Sequence, residues 1–356
     1  MARPALHQVV VSATVGDAIT DCAFLLRRWL RQMGFTSEIF AESVHSALAR
    51  EARPLAAYRP RRAGQWLIYH HSIGSSVAEW LLHLPQRLIV IYHNITPSEF
   101  FASVNPALAQ QMEMGKDQLY ALRPRTVLAL AVSSYNERDL CAAGFVHTDV
   151  LPITLDESRY DMPSNPELLM RFDEKGPLLL FVGRLAPNKR QEDLIKLFYF
   201  YRRIEPSARL VLVGNEWLLA YERSLRQFAR VLGVEDKVLF TGRVSQQDMI
   251  TFYRLADLYV SMSEHEGFGK PLIESMYFEV PVLAYAAGAV PDTLGEAGML
   301  FHHKNYELLA EVVDILIRDE ALRQRMIARQ RDRVQSFLEP RVMQKWEGFV
   351  RQLGLT

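Results

Sequence analysis

The sequence predicts an α/β protein of two domains, each built on a parallel sheet. Three observations carry this expectation. Strand-length apolar runs alternate with longer amphipathic stretches from Val9 to Phe301. The runs are apolar on both faces, as strands are when helices cover both sides of a sheet. The alternation breaks once, between Asp156 and Lys175, in a stretch with Pro163, Pro166 and several charges but no apolar period.

In chain order, strands are expected at Val9–Val11, Ser37–Ala41, Trp66–Tyr69, Leu88–Tyr92, Val127–Val132 and Asp149–Leu151. A helix is expected over Asp17–Met33, where Phe24, Leu25, Trp29 and Leu30 alternate with Arg27, Arg28 and Arg31. A second series follows the break, with strands at Leu178–Val182, Arg209–Val213, Val238–Phe240, Leu258–Val260, Val282–Ala284 and Met299–Phe301. The expected organisation is a Rossmann-like domain over 1–156, a linker over 157–176, a second Rossmann-like domain over 177–335, and a terminal segment over 336–356. Its helix, from Glu339, is free to pack back on the first domain. Open α/β sheets bind ligands at the carboxyl ends of their strands, so the expected site is a cleft between two facing sheets.

Composition narrows the function. The 356 residues carry 41 basic and 41 acidic side chains, a formal net charge of zero. A duplex nucleic-acid binder usually shows a basic excess, so nucleic acid is not an expected partner. Cys22 and Cys141 stand in apolar helical contexts without a second Cys or a His at metal spacing. They read as buried free thiols, which suits a reducing cytoplasm. Met1–Val11 lacks a basic region followed by a long apolar run, so no signal peptide is expected. A membrane-spanning helix needs about 20 apolar residues, and these runs are shorter. The basic cluster Arg59-Pro60-Arg61-Arg62 is most simply solvated charge, but leaves room for a peripheral contact with the inner face of a membrane.

The chemistry concentrates between Ser263 and Glu274. The apolar run Leu258–Val260 leads into Glu264-His265-Glu266-Gly267-Phe268-Gly269-Lys270-Pro271-Leu272-Ile273-Glu274. Gly267 and Gly269 let backbone approach a ligand, and Pro271 suits the first turn of a helix. The free N–H groups of that turn form an anion site. Glu266 precedes the helix and Glu274 lies about one turn inside it, so both carboxylates are expected to face the cleft.

Glu266 and Glu274, with seven residues between them and Gly-Phe-Gly-x-Pro inside the interval, resemble the signature of retaining glycosyltransferases of family 4, the glycosyl transferases group 1, which have the GT-B fold. Phe181-Val-Gly-Arg184-Leu-Ala-Pro-Asn-Lys189 resembles the family's strand and loop that hold the donor diphosphate. Leu212-Val-Gly214, Val238–Gly242, Pro281–Ala284 and Ala287-Gly-Ala-Val-Pro291 follow in the family's order. The segment Ile91-Tyr-His93-Asn-Ile-Thr-Pro97 resembles polysaccharide mannosyl- and rhamnosyltransferases, and Trp66–Gly74, with His70, has the same flavour.

The resemblance implies an enzyme that moves a hexosyl group, with GDP-mannose as the favoured donor, to a glycan or lipid-linked acceptor in cell-surface polysaccharide assembly. It implies catalytic roles for Glu266, Arg184, Lys189 and His93. Donor contacts are implied for Gly16, Arg184, Lys189, Val244, Phe268, Gly269, Lys270, Leu272 and Glu274, with Glu274 on the ribose. Acceptor contacts are implied for Asp17 and His70. Lys270 departs from the family pattern, where a smaller residue is common. Isolated from that context, Arg184 and Lys189 are ordinary loop charges, Glu274 a helix-start carboxylate and His93 a satisfied core histidine. No Asp-x-Asp motif is present, so a nucleotide-diphosphate sugar is expected as co-substrate with no metal and no cofactor. His70 and His71, adjacent on a strand, point to opposite faces and do not suit one ion. The alternatives are a nucleotide-sugar-binding protein without catalysis and a GT-B epimerase or phosphorylase.

Overall fold

The computed structural model describes residues 5–60, 66–172, 176–215 and 218–355. Arg61 and Arg62 of the basic cluster and Lys175 at the expected linker's end lie outside them. The chain divides into two compact units: Met1–Thr154 with Glu339–Thr356, and Leu155–Leu338.

The first unit opens with β1 (Leu6–Ala13), α1 (Ala18–Gln32), β2 (Ile39–Val44) and β3 (Arg53–Pro54). It continues with β4 (Trp66–His71), α2 (Ser76–Leu82), β5 (Arg87–Tyr92), α3 (Pro106–Leu122), β6 (Thr126–Ala131), α4 (Ser134–Ala142) and β7 (Thr148–Val150). The sheet runs β3-β2-β1-β4-β5-β6-β7, and all of its pairings are parallel. Both faces are apolar: Val9, Leu67, Tyr69, Leu88 and Val90 form a core with α2 on one side. Val10, Ile39 and Ala41 pack with Ala23 of α1 on the other.

The second unit starts at Leu155. The stretch read as a linker carries α5 (Pro166–Arg171). Its cap Asn165 holds the next helical layer, with Nδ2 donating to Asp248 and its own N–H to Thr251 Oγ1, at 2.6 and 2.8 Å. Then come β8 (Leu178–Val182), α6 (Gln191–Ile204), β9 (Arg209–Val213), α7 (Leu219–Val231), β10 (Val238–Gly242), α8 (Gln246–Leu255) and β11 (Leu258–Ser261). α9 (Lys270–Tyr277), β12 (Val282–Tyr285), α10 (Val290–Leu294), β13 (Met299–Phe301), α11 (Tyr306–Arg318) and α12 (Glu320–Val334) complete it. Its parallel sheet runs β10-β9-β8-β11-β12-β13.

The last helix, α13 (Glu339–Gln352), returns to the first unit. Glu339 accepts hydrogen bonds from Trp29 Nε1 at 2.7 Å and from Arg28 at 2.5 Å, both on α1. Trp346, Phe349 and Val350 are buried. Among the described residues, no helix is long and apolar enough to cross a membrane.

Each sheet reverses its strand order once, between β1 and β4 and between β8 and β11. At such a switch point the connections leave on opposite faces and open a crevice at the strands' carboxyl ends. The segments singled out by sequence lie there: Gly16-Asp17 after β1, His70 at the end of β4, Arg184–Lys189 after β8 and Ser263–Gly269 after β11.

Candidate functional site

In the second unit, the loops after β8 and β11 are joined. Asn188 is buried, donates from Nδ2 to the His265 carbonyl at 3.1 Å, and accepts from the Glu264 N–H at 2.9 Å. That clamp brings Lys189 Nζ to 2.6 Å from Glu266 Oε2. Both side chains keep partial exposure, 19% and 15%, so the pair remains open to solvent. Gly288 holds the Glu266 backbone from behind. Its φ is +58°, and a Cβ there would lie 2.6 Å from the Glu266 carbonyl oxygen. The same carbonyl accepts from the Ala289 N–H at 2.9 Å. Behind the β8 loop, a Cβ on Gly214 would come 1.8 Å from the Gly183 carbonyl, so only glycine allows β9 to end there. Arg184 is exposed, and its carbonyl accepts from Gln191 at 2.9 Å.

Gly269 caps α9 with φ +84°. The first turn of the helix follows, with Pro271 inside it. Phe268 is buried against Phe337 with centroids 5.6 Å apart, and its carbonyl accepts from Thr293 Oγ1 at 2.6 Å. Leu272 is buried, so only its main chain is available to a ligand. Val244 is half-buried just after β10.

Glu274 lies inside α9. It is 3% exposed, and both oxygens are engaged. Oε1 accepts from Tyr160 at 2.5 Å and Oε2 from Tyr253 at 2.8 Å. Lys270 Nζ is 3.8 Å from Oε1. Burial, and then the Glu274 charge, push the Tyr253 hydroxyl well above its ordinary pKa, so it remains a donor to the carboxylate. The carboxylate thus serves the interior of its own unit first. Each oxygen still retains a further lone pair.

A second charged knot lies beside the first. Asp193 is 1% exposed and is reached by Lys304 at 2.8 Å, Lys196 at 3.0 Å and Tyr306 at 2.8 Å. Burial pushes its pKa up, but hydrogen bonds from Lys304, Lys196 and Tyr306 outweigh it and hold the carboxyl at about 2. Lys304 also reaches Glu264 at 2.7 Å, so this knot braces the β11 loop.

In the first unit, Gly16 is exposed with φ +73°. Asp17 is the N-cap of α1, accepting from the Thr20 N–H at 3.0 Å and Thr20 Oγ1 at 3.2 Å. Both bonds go to Oδ2, so one oxygen of the carboxylate caps the helix. His70 and His93 face one another, Nδ1 to Nε2, at 2.9 Å. Gln8 Oε1 lies 2.9 Å from His70 Nε2. His71 turns to the other side, with Nε2 at 2.8 Å from the Gly115 carbonyl. Burial lowers the pKa of His70 to about 3 and of His71 to about 4, and it lowers that of His93 well below the ordinary value. Cys22 of α1 brings its sulfur within 4.8 Å of ligating nitrogens of His70 and His93. A Cys and two His are ligands that a soft ion would take, although the facing ring nitrogens here hold each other. Neither cysteine is fully buried: Cys22 is half-buried and Cys141 exposed.

Sequence reasoning passed over Gln8, Tyr160 and Tyr253. Gln8 sits in an apolar strand where a polar residue is out of place, and that was the available signal. Nothing local marks the two tyrosines, which reach Glu274 from 114 and 21 residues away.

Two parallel-sheet, Rossmann-like units with charged loops at their switch points define the GT-B class of α/β proteins. The solved structure of HepE from Anabaena, in complex with UDP and glucose, is similar over 98% of this chain and 100% of its own, with a TM-score of 0.79 and 18% identity. Residues 170–333 match the family model described as glycosyl transferases group 1. Mannosylfructose-phosphate synthase of Agrobacterium fabrum is 36% identical over 152 residues, 40% of this chain. The GDP-mannose-dependent monoacylated alpha-(1-6)-phosphatidylinositol monomannoside mannosyltransferase of Corynebacterium glutamicum is 29% identical over 221 residues, 58% of this chain. The matches span 34% and 56% of these two relatives' own lengths.

Proposed function

We propose that the chain is a retaining hexosyltransferase that uses a nucleotide-diphosphate sugar. The observation that carries this reading is the Lys189–Glu266 pair at the β8/β11 switch point, 2.6 Å apart and partly open. Breaking the bond between the anomeric carbon and the diphosphate oxygen builds negative charge on the leaving group. Lys189 and Arg184 stabilise that charge, helped by the main-chain N–H groups at the start of α9. Two protein cations take the place of a divalent ion, so the reaction needs no metal and no cofactor. The acceptor oxygen bonds to the anomeric carbon on the face the diphosphate leaves. The acceptor's proton passes to the departing phosphate oxygen. Glu266, tied to Lys189, holds that ammonium in place and lies at the sugar end.

Val244, Gly269 and Leu272 bound the nucleotide through main chain and apolar contact, with Phe268 supporting the loop. Lys270 sits at the start of α9, beside Glu274, where it faces the donor's nucleoside end. Glu274 uses its remaining lone pairs for the ribose hydroxyls. In the first unit, Gly16 leaves room for phosphate, His93 reads a sugar hydroxyl, and His70 supports the acceptor side. A GDP-mannose-like donor is favoured, in keeping with the printed name of the Corynebacterium relative. The acceptor class is a glycan or lipid-linked sugar of the cell surface, met in the cytoplasm at the inner face of the membrane.

The test is a panel of GDP-, UDP-, dTDP- and ADP-sugars, read by thermal shift and by release of nucleoside diphosphate without added metal. A ligand at 100 times its dissociation constant stabilises by about 2.7 kcal/mol. One donor class that both stabilises the chain and releases diphosphate supports the reading. Stabilisation without release on any acceptor supports the non-catalytic binding protein instead.

A further inference from the structure

Three consecutive residues after β8 reach three consecutive residues after β11. Asn188 accepts from the Glu264 N–H at 2.9 Å and donates to the His265 carbonyl at 3.1 Å, and Lys189 meets Glu266 at 2.6 Å. Arg190 completes the set, with Nε 3.3 Å from Glu264 Oε1. The same nitrogen lies 3.3 Å from Asp193 Oδ2, and Nη1 lies 3.1 Å from Glu192 Oε1. A planar fork of N–H donors suits one side chain to three carboxylates, where an ammonium is only a point charge. Those carboxylates are themselves held: Lys304 reaches Asp193 and Glu264, and the Tyr221 hydroxyl donates to Glu192. The backbone of Arg190 is as unusual as its side chain. Its φ is +53° and its ψ +45°, the left-handed conformation. Glycine adopts it freely, and a residue with a Cβ does so at a cost. The turn ends the short 3₁₀ segment Pro187–Lys189 and starts α6 at the next residue. A glycine would make that turn without strain but would bring no side chain to hold it.

We infer that Arg190 is a positioning residue: by anchoring the left-handed turn to Glu192, Asp193 and Glu264, it fixes where the Lys189 ammonium stands. This rests on the proposed function for the reaction, but not for the lock itself. Lys189 and Arg190 share a peptide plane, so a turn that relaxes at Arg190 re-aims Lys189. The guanidinium is committed to three carboxylates and acts through its neighbour rather than on the donor. Strained backbone persists only where the surroundings hold it, and such places cluster at functional sites. Charge on the leaving diphosphate builds in the transition state, so a displaced ammonium costs turnover more than donor binding.

The experiment follows release of nucleoside diphosphate from GDP-mannose and from UDP-glucose by the full chain and its variants. Arg190→Gly keeps the turn and removes the anchor. Its turnover should fall about tenfold or more while the donor KM stays within about threefold. Arg190→Lys keeps the charge without the fork and should recover part of the loss. In a Lys189→Ala chain, Arg190→Gly should lower turnover no further, because the group it aims is gone. A loss there as large as in the parental chain overturns the inference and leaves Arg190 a part of the fold alone. Parental turnover in Arg190→Gly overturns it as well. If Arg190→Gly does not fold, Glu264→Gln removes a partner of the anchor without touching the turn, and the same comparison with and without Lys189→Ala decides. Hydrogen exchange reads the lock without activity. The Lys189 and Arg190 amides are bonded to the Ala186 and Pro187 carbonyls at 2.9 and 3.3 Å, and should exchange about tenfold faster once the anchor is lost. Equal exchange overturns the lock. A parental chain that releases nucleoside diphosphate from neither sugar counts against the proposed function and leaves the lock to stand or fall on exchange.

Discussion

Lys189 Nζ lies 2.6 Å from Glu266 Oε2, and this contact ties the loop after β8 to the loop after β11. The two lie 77 positions apart in sequence, and the switch in strand order between β8 and β11 brings them together. Their substitutions should therefore interact. Lys189→Ala should lower transfer by about 10²-fold or more, as removal of one preorganised electrostatic donor does. Glu266→Gln should loosen Lys189 and share part of that loss. In a double-mutant cycle on turnover, a coupling of about 0.5–3 kcal/mol is expected. Strictly additive losses would show that the ion pair does not matter to the reaction.

The Glu274 carboxylate accepts from Tyr160 and Tyr253. Hydrogen bonds to a charged group contribute roughly 1.5–3 kcal/mol. Tyr160→Phe should cost about that much in urea unfolding and leave free nucleoside diphosphate affinity within a few-fold. Glu274→Gln should weaken both stability and nucleotide affinity, because the same carboxylate is proposed to take the ribose. A Glu274→Gln chain that loses stability alone would confine the residue to its tyrosine partners.

Much of this was legible in the sequence. Apolar runs such as Leu178–Val182 give the strands directly, since a buried parallel strand has no polar face to hide it. β3 was not legible, because Arg53–Pro54 is a two-residue edge with a proline and no apolar run. The loop glycines and the Arg184, Lys189 and Glu266 positions came from local motifs. The pairing of Lys189 with Glu266 and the burial of Glu274 between two tyrosines were not legible. Each depends on where side chains end up after the sheets assemble. The stretch 157–176 looked like a linker because α5 is short and its apolar side chains stay largely exposed.

Asp193 gives a pH signature. Its folded pKa, about 2, is depressed below the ordinary 3.8. A depressed carboxyl contributes stability that is fully present above the unfolded pKa and is lost as pH falls through the folded one. The loss should fall between about pH 4 and pH 2, and amount to no more than about 2 kcal/mol. Asp193→Asn should be less stable at neutral pH and show a flatter decline over that window. Parallel acid-unfolding curves for the two chains would contradict the assignment.

Gly288→Ala places a methyl 2.6 Å from the Glu266 carbonyl, on a backbone with φ +58°. The left-handed conformation adds roughly 1–2 kcal/mol for a residue with a Cβ. The chain should still fold, with a lowered melting temperature and a larger loss in turnover than in stability, because the displaced backbone carries Glu266. A fully active Gly288→Ala chain would show that the loop tolerates the shift.

Metal independence is checked by chelation. With Lys189 and Arg184 supplying the positive charge, excess EDTA should leave turnover unchanged. Loss of activity on chelation, restored by Mg²⁺ or Mn²⁺, would assign the charge to an ion instead.

The central claim is that the donor diphosphate binds at the β8/β11 switch point on Lys189. Isothermal titration of GDP and of UDP into the parental chain and into Lys189→Ala, at one fixed salt concentration, tests it most directly. Loss of a charge-assisted contact worth roughly 1.5–3 kcal/mol should weaken the bound nucleotide about ten- to a hundredfold. Equal affinity of the two folded chains for that nucleotide would place the diphosphate elsewhere and contradict the claim.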